Sequence, residues 1–152
     1  MTDQSTVTVP SIDRLDEGCV RILTISNEAK RNAFSGTMAP TLHDLLVEAD
    51  DDPNVRAIVI TGAGSNSFSS GHDLAEVLEN PGTAGDPVAN AAFTAPPSLG
   101  TPVIAAVNGN AYAAGFILAL TRHRPEKRAQ ERSLFRVASA VPAGVRTRIW
   151  LV

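Results

Sequence analysis

The chain has 152 residues, of which 43% are hydrophobic and 19% are charged. This length and composition suit one globular domain and exclude wholesale disorder. No apolar run reaches the roughly 18 residues that a membrane helix requires, and the first ten residues lack the features of a secretory signal. The lone Cys19 excludes an internal disulfide framework and a cysteine-based zinc cage. We therefore expect a cytoplasmic protein in which Cys19 is an unreactive, half-buried thiol.

The net charge of −3 conceals a division of charge along the chain. Residues 1–120 carry five basic and 14 acidic side chains, which give a formal charge of −9. Residues 121–152 carry eight basic and two acidic side chains, which give +6. Such a basic segment is typical of an arm that binds nucleic acid or an acidic partner. The segment also lacks sustained periodicity, so we divide the chain into an α/β body (1–120) and a basic tail (121–152).

Two strands and a loop open the predicted body. Residues 6–15 alternate imperfectly between apolar and polar side chains, and residues 20–25 are rich in β-branched side chains. Both patterns predict strands, and the Asp-Glu-Gly sequence at 16–18 predicts a turn between them. The pair is therefore expected to form a hairpin, followed by a polar loop over 26–35.

The first predicted helix begins after Thr37, which serves as the N-cap, and Pro40 falls in its first turn. Its apolar face comprises Met38, Leu42, Leu45, Leu46 and Ala49. His43 falls on the polar side and is expected to be solvated. The acids at 50–52 and the following proline end the helix in a solvated loop. A metal site at these acids is disfavoured because the sequence offers no second cluster of oxygen ligands.

Two short, nearly continuous apolar runs at 55–61 and 102–107 predict buried strands. A glycine-containing turn follows each strand, and a helix follows each turn. The first of these helices begins near Asp73, which has capping-box spacing with Glu76. The second covers 111–120 and is expected to be buried on most sides. Between the two helices, residues 80–87 predict an exposed loop and residues 88–99 predict a short helix interrupted by prolines.

The two strand–glycine–helix junctions carry the candidate chemistry. A helix start leaves backbone N–H groups without partners and adds partial positive charge. Two such starts that converge on one point would form an oxyanion hole, a pair of donors that stabilises a negatively charged oxygen. Because such junctions are common, spacing alone does not establish convergence, and a purely structural role stays open.

Four segments of the body form a set: KRNAFS at 30–35, VRAIVITGAG at 55–64, FSSGHDL at 68–74 and PVIAAVNGNAYAAGFILAL at 102–120. They occur in the order found in the crotonase family of enoyl-CoA hydratases and isomerases, which the chain resembles over about residues 5–120. The resemblance implies an α/β fold that is the N-terminal part of a crotonase-like spiral of ββα units, incomplete at its C-terminus. Residues 1–120 would then bind acyl-CoA.

The resemblance implies an oxyanion hole built from main-chain atoms. The N–H groups of His72 and Ala114 would polarise the thioester carbonyl and stabilise the enolate. The His72 side chain is expected to line the pocket. Most members of the family have glycine where this chain has Ala113 and Ala114, and the added methyl groups would narrow the pocket.

The same resemblance implies which residues hold coenzyme A. Lys30 and Arg31 would meet its phosphates as charged donors, and a solvated polar loop is the alternative for both. The other expected substrate-binding residues are Ala33, His72, Asp73, Leu74 and Gly115. No metal and no redox cofactor is implied, and the family is one of homotrimers or dimers of trimers.

The chain departs from the family at the catalytic positions. Family hydratases hold a glutamate two residues after the glycine matched by Gly115, where this chain has Ile117. Isoleucine cannot transfer a proton. The strand that precedes the second family glutamate is not recognisable after Leu120, and Glu126 and Glu131 match no motif. Suitable codons for 121–124, read one base later, give Arg-Asp-Ile-Ala, so we favour a frameshifted or truncated product over a basic arm.

The predicted function is therefore an enoyl-CoA hydratase/isomerase family protein that acts on or binds acyl-CoA thioesters, with impaired catalysis. The alternatives are a non-catalytic binder of CoA thioesters and a non-functional fragment. Nucleic-acid binding through the tail is a further alternative that we do not favour. We also expect the tail to be mobile, because its first part offers little apolar area to offset the entropy of ordering.

Overall fold

The computed structural model describes residues 9–120, which form a mixed α/β unit, so the predictions for the basic tail lie outside the described residues. Its strands and helices, in chain order, are β1 (Ser11–Glu17), β2 (Val20–Ser26), α1 (Met38–Asp51), β3 (Ala57–Gly62), β4 (Ser67–Ser69), α2 (Leu74–Glu79), α3 (Pro87–Thr94), β5 (Val103–Ala106), β6 (Asn110–Ala111) and α4 (Ala114–Ala119). Single 3-10 turns lie at Glu28–Lys30, Pro81–Gly85 and Pro96–Ser98.

The main sheet has four strands in the order β1-β2-β3-β5. β1 and β2 form the predicted antiparallel hairpin, whereas β2, β3 and β5 run parallel. Successive side chains of a strand point to opposite faces, so β2 and β3 supply two apolar clusters. The larger cluster packs Leu23, Ile58 and Ile60 against α1, and the smaller one contains Ile22 and Val59. The parallel strands β3 and β5 are each followed by a short strand of a second sheet, β4 and β6, and the junctions of interest follow these short strands.

The structure confirms the hairpin, the helix after Thr37 and the two buried strands, and it corrects several details. The chain turns at Gly18, with a φ of +60°, because β1 extends to Glu17. The neighbouring Cys19 is exposed rather than half-buried. Residues 80–87 are mostly exposed, as expected, but they form a 3-10 turn and the start of α3 rather than an irregular loop. His43 is only partly exposed, and its Nδ1 atom is buried, so the expectation of a solvated side chain was wrong.

The predicted last helix differs most from the structure. It begins at Ala114 because the preceding residues form the short strand β6, which pairs with β4 in a separate two-stranded sheet. The sequence analysis missed both strands. α4 is also not buried on most sides, since Phe116 is 51% exposed and Ile117 is 55% exposed. Only one face of α4, which includes Leu118, joins the larger apolar cluster.

Two of the three acids at 50–52 bind other parts of the chain, so these two are not simply solvated as expected. The Asp50 carboxylate accepts hydrogen bonds from the N–H groups of Gly100 (3.1 Å) and Thr101 (2.6 Å), just before β5. Asp52 forms an ion pair at 3.1 Å with Arg21, whose side chain is 1% exposed. These bonds stabilise carboxylates that the helix dipole alone would disfavour. In the part of the chain that the structure describes, no group of His, Cys, Asp and Glu side chains is arranged to hold a metal.

Candidate functional site

Two strand-to-helix junctions lie against each other in the structure. One leads from β4 through Gly71 to α2, and the other leads from β6 to α4. A Cβ atom built on Gly71 would lie 3.0 Å from the main-chain nitrogen of Ala114 and 3.1 Å from the methyl carbon of Ala113. Gly71 has a φ of +87°, so glycine suits this junction in conformation as well as in size. The two junctions are therefore adjacent in space, which the spacing alone could not establish.

The candidate site contains two main-chain donors without protein acceptors. Phe34 pairs with His72 in an isolated parallel β-bridge, so its two hydrogen bonds go to the residues on either side of His72. The Phe34 N–H donates to the Gly71 carbonyl at 2.8 Å, and the Asp73 N–H donates to the Phe34 carbonyl at 2.9 Å. Within residues 9–120, neither the His72 N–H nor the Ala114 N–H donates a hydrogen bond. Donors of this kind can bind an oxygen atom that becomes negatively charged.

The backbone at the start of α4 is tightly constrained. Ala113 has φ +47° and ψ −124°, a conformation that L-residues rarely adopt. Gly115 was expected to bind substrate, but it lies against β4. A Cβ atom on Gly115 would lie 2.4 Å from the Ser69 carbonyl oxygen and 2.8 Å from the Ser69 Cβ. The lack of a side chain at Gly115 therefore allows α4 to approach β4 closely, which places the Ala114 N–H beside Gly71.

Asp73 is a buried carboxylate at the start of α2. Its Oδ1 accepts the N–H of Ala75 at 3.0 Å, which makes Asp73 the N-cap of the helix. Its Oδ2 accepts the hydroxyl of Ser35 at 2.8 Å and the ammonium group of Lys30. Lys30 and then Ser35 are the main causes that lower the pKa of Asp73. The expected capping box does not form, because Glu76 accepts the N–H of Gly36 instead of that of Asp73.

Lys30 and Arg31 are expected to contact phosphate, and the structure separates them. Lys30 is paired with Asp73, and this pairing raises the pKa of the lysine. Arg31 is exposed and has a φ of +56°. It borders a cavity of about 410 Å³ that is lined mainly by polar residues of the 28–32, 63–67 and 110–112 segments. Both residues are exposed, but only Lys30 forms an ion pair within residues 9–120, and Arg31 is the one that borders the cavity.

The other predicted binding residues have mixed surroundings. Ala33 is 5% exposed and belongs to the core, whereas Leu74 is 77% exposed. The His72 side chain is half-buried against α3, with Nε2 at 3.2 Å from Asn90 Oδ1. Its ring also makes an edge contact with Phe93 at a centroid distance of 5.2 Å. The side chain of His72 thus packs against α3.

Two asparagines that the sequence analysis did not single out shape the turns around the site. Asn32 is fully buried, and its amide donates to the carbonyls of Ala63 (2.9 Å) and Ser67 (2.7 Å). Asn108 binds both main-chain groups of Gly62 through its side chain. Because an asparagine side chain both donates and accepts, it can form hydrogen bonds with main-chain groups of a turn that have no partner in a sheet. Asn108 directly follows the apolar run at 102–107, which is a signal that could have drawn attention to it, whereas Asn32 lies in a polar segment without such a signal.

Ile117 occupies the position at which the sequence analysis looked for a catalytic glutamate. It lies one turn into α4, where its N–H donates to the Ala113 carbonyl at 3.1 Å. The side chain is more than half exposed and carries no proton that could be transferred. An acid–base role for residue 117 is therefore excluded by its chemistry.

Comparison with known proteins identifies the family. The model of the enoyl-CoA hydratase/isomerase family matches residues 16–122. The chain belongs to the enoyl-CoA hydratase/isomerase family. It is 38% identical over 104 residues to the probable enoyl-CoA hydratase EchA14 of Mycobacterium tuberculosis, covering 66% of this chain and 40% of that protein. It is 40% identical over 93 residues to the carnitinyl-CoA dehydratase of Escherichia coli K12, covering 60% of this chain and 36% of that protein.

Solved structures agree with this assignment. An enoyl-CoA hydratase from Polaromonas superposes with a TM-score of 0.66 at 33% identity, covering 73% of this chain and 45% of that structure. These matches confirm the α/β class and the expected crotonase fold. The chain spans about two fifths of the length of the curated relatives described above. Within residues 9–120, no helix has the length and apolar character needed to cross a membrane.

Proposed function

We propose that this enoyl-CoA hydratase/isomerase family protein binds acyl-CoA thioesters, with the thioester carbonyl at the N–H groups of His72 and Ala114. The observation that carries the proposal is the contact between the Gly71 and Ala114 junctions. It brings together two segments that each hold a donor without an acceptor among residues 9–120. The names of two relatives, a probable enoyl-CoA hydratase and a carnitinyl-CoA dehydratase, support a CoA thioester as the ligand.

The chemistry that follows from this arrangement is polarisation of the carbonyl. Two N–H groups that donate to the carbonyl oxygen stabilise negative charge as it develops there. Removing a proton from the adjacent α-carbon, or adding a nucleophile to the β-carbon of an enoyl group, places charge on that oxygen. The N–H groups therefore favour both reactions without supplying or removing a proton themselves.

At the position that matches the family's catalytic glutamate, the proposed site holds no group that could move the proton. Ile117 cannot act as an acid or a base, and general acid–base catalysis contributes about 10²–10⁴-fold. We therefore place this chain closer to a binder of CoA thioesters that polarises its ligand than to an efficient hydratase. The deciding feature is the side chain of residue 117.

Thermal unfolding with an added acyl-CoA tests the binding. A ligand present at a hundred times its Kd stabilises the folded state by about 2.7 kcal/mol, which raises the melting temperature. Arg31→Ala should reduce this shift, because Arg31 is the cation that borders the polar cavity among residues 9–120. Arg56→Ala is the matched control, since Arg56 is exposed at the opposite end of β3. No shift with saturating acyl-CoA in a folded sample would refute the proposal.

A further inference from the structure

We infer that Asp73, together with Lys30 and Ser35, is a positioning group that holds the His72 N–H in its donor orientation and does not itself bind coenzyme A. The inference rests on the proposed function and assigns these three residues a different role from the one implied by the family resemblance. Its basis is the way in which hydrogen bonds surround His72.

His72 lies between two residues that are both tied to Phe34. Gly71 accepts the Phe34 N–H at 2.8 Å, and Asp73 donates its N–H to the Phe34 carbonyl at 2.9 Å. These two bonds fix the strand-like path of the backbone through His72. They leave the His72 N–H itself without an acceptor within residues 9–120. The orientation of this donor therefore depends on how firmly the bridge to Phe34 is held.

The Asp73 carboxylate strengthens that bridge through side-chain bonds to the segment that contains Phe34. It binds Ser35, which directly follows Phe34, and Lys30, which lies four residues before Phe34. Its other oxygen caps α2 through the N–H of Ala75. One carboxylate thus joins the 30–35 segment to the start of the helix that follows His72. Bonds of this kind are about twice as strong as neutral ones because one or both partners are charged.

Burial explains why Lys30 serves Asp73 rather than a ligand phosphate. The Asp73 side chain is 7% exposed, whereas the Lys30 side chain is 54% exposed. If Lys30 turned away to a phosphate, it would leave a buried carboxylate without its charged partner, which is costly. Arg31 forms no ion pair with a buried carboxylate of residues 9–120, and it borders the polar cavity. The structure therefore separates the two adjacent cations into a positioning residue, Lys30, and a candidate phosphate contact, Arg31.

The test compares two thioesters of the same conjugated acyl group. One carries full coenzyme A, and the other carries only pantetheine, which lacks the nucleotide phosphates. The absorbance maximum of a conjugated thioester moves to longer wavelength when its carbonyl is polarised, so the red shift reports the two N–H donors directly. The variants are Lys30→Met, Asp73→Asn and Arg31→Ala. Asp52→Asn is the matched control, because Asp52 also pairs with an arginine and accepts a backbone N–H far from His72.

The positioning role predicts a specific pattern. Lys30→Met and Asp73→Asn should weaken both thioesters by a similar factor, about tenfold, and should reduce the red shift of the bound ligand. Arg31→Ala should weaken only the CoA thioester and leave the red shift unchanged. The double variant of Lys30 and Asp73 should lose little more than the worse single variant, because both changes break the same pair. Asp52→Asn should bind both ligands as the parent does.

Two results would overturn the inference. If Lys30→Met weakens only the CoA thioester and keeps the full red shift, Lys30 is a phosphate contact. If the two substitutions combine to about a hundredfold loss, the residues act independently. If Asp73→Asn unfolds the chain, Lys30→Met still decides, since Lys30 is an exposed residue. Failure of the parent chain to bind either thioester would instead refute the proposed function, and a bound thioester without any red shift would refute the N–H donors.

Discussion

Replacing Ala113 by glycine is expected to stabilise the protein, although Gly substitutions usually do the reverse. Ala113 has φ +47° and ψ −124°, a region that glycine enters without strain and alanine does not. Backbone strain of this kind costs about 1–3 kcal/mol. The residue is exposed, so removal of its methyl group costs little buried area. The greater freedom of glycine in the unfolded chain offsets about 0.4–1 kcal/mol of the gain.

The net expectation for Ala113→Gly is an increase of about 0.5–2 kcal/mol in the free energy of unfolding, from the strain and entropy values combined. The melting temperature should rise by about 2–5 °C. Thermal unfolding followed by circular dichroism measures this change. Ala75→Gly is the matched control, because Ala75 is an exposed residue in α2 with ordinary helical surroundings. It should lower the stability by up to about 1 kcal/mol. If both variants lose stability to the same extent, Ala113 is not strained and the reasoning is wrong.

Three further predictions concern the packing, the acid stability and the chemistry. Gly115→Ala should destabilise by about 1–3 kcal/mol in urea unfolding, since its Cβ would lie 2.4 Å from the Ser69 carbonyl oxygen. Arg21 and then Arg14 lower the pKa of Asp16 from 3.8 to about 2. The stabilisation that the Asp16 carboxylate contributes is therefore complete above about pH 4 and is lost as the pH falls towards 2. Asp16→Asn should make the free energy of unfolding less dependent on pH in this range. Ile117→Glu should restore little hydration of a crotonyl thioester, because the motif of the second family glutamate is not recognisable in the sequence; efficient hydration by the parent chain would contradict this role for Ile117.

Local patterns in the sequence predict much of the scaffold. The β-branched runs at 20–25 and 55–61 form β2 and β3, and the apolar spacing after Thr37 forms the buried face of α1. These elements are encoded locally, because the period of apolar side chains determines which face can be buried. The ordered motifs also indicate the family, which the comparisons confirm. The sequence also shows that Ile117 stands where family hydratases have a glutamate, because it lies two residues after Gly115.

The candidate site depends on contacts that no local pattern encodes. Strands β4 and β6 are too short for a recognisable period, yet their pairing brings Gly71 to Ala114. Lys30 and Asp73 are 43 residues apart and meet only because the bridge through Phe34 closes. The strained backbone of Ala113 is equally invisible in the sequence, since its conformation is imposed by the approach of α4 to β4. Sequence determined the elements and the chemistry available at each position, whereas packing decided which groups meet, because hydrogen bonds and ion pairs act over a few ångströms in space, whatever the separation along the chain.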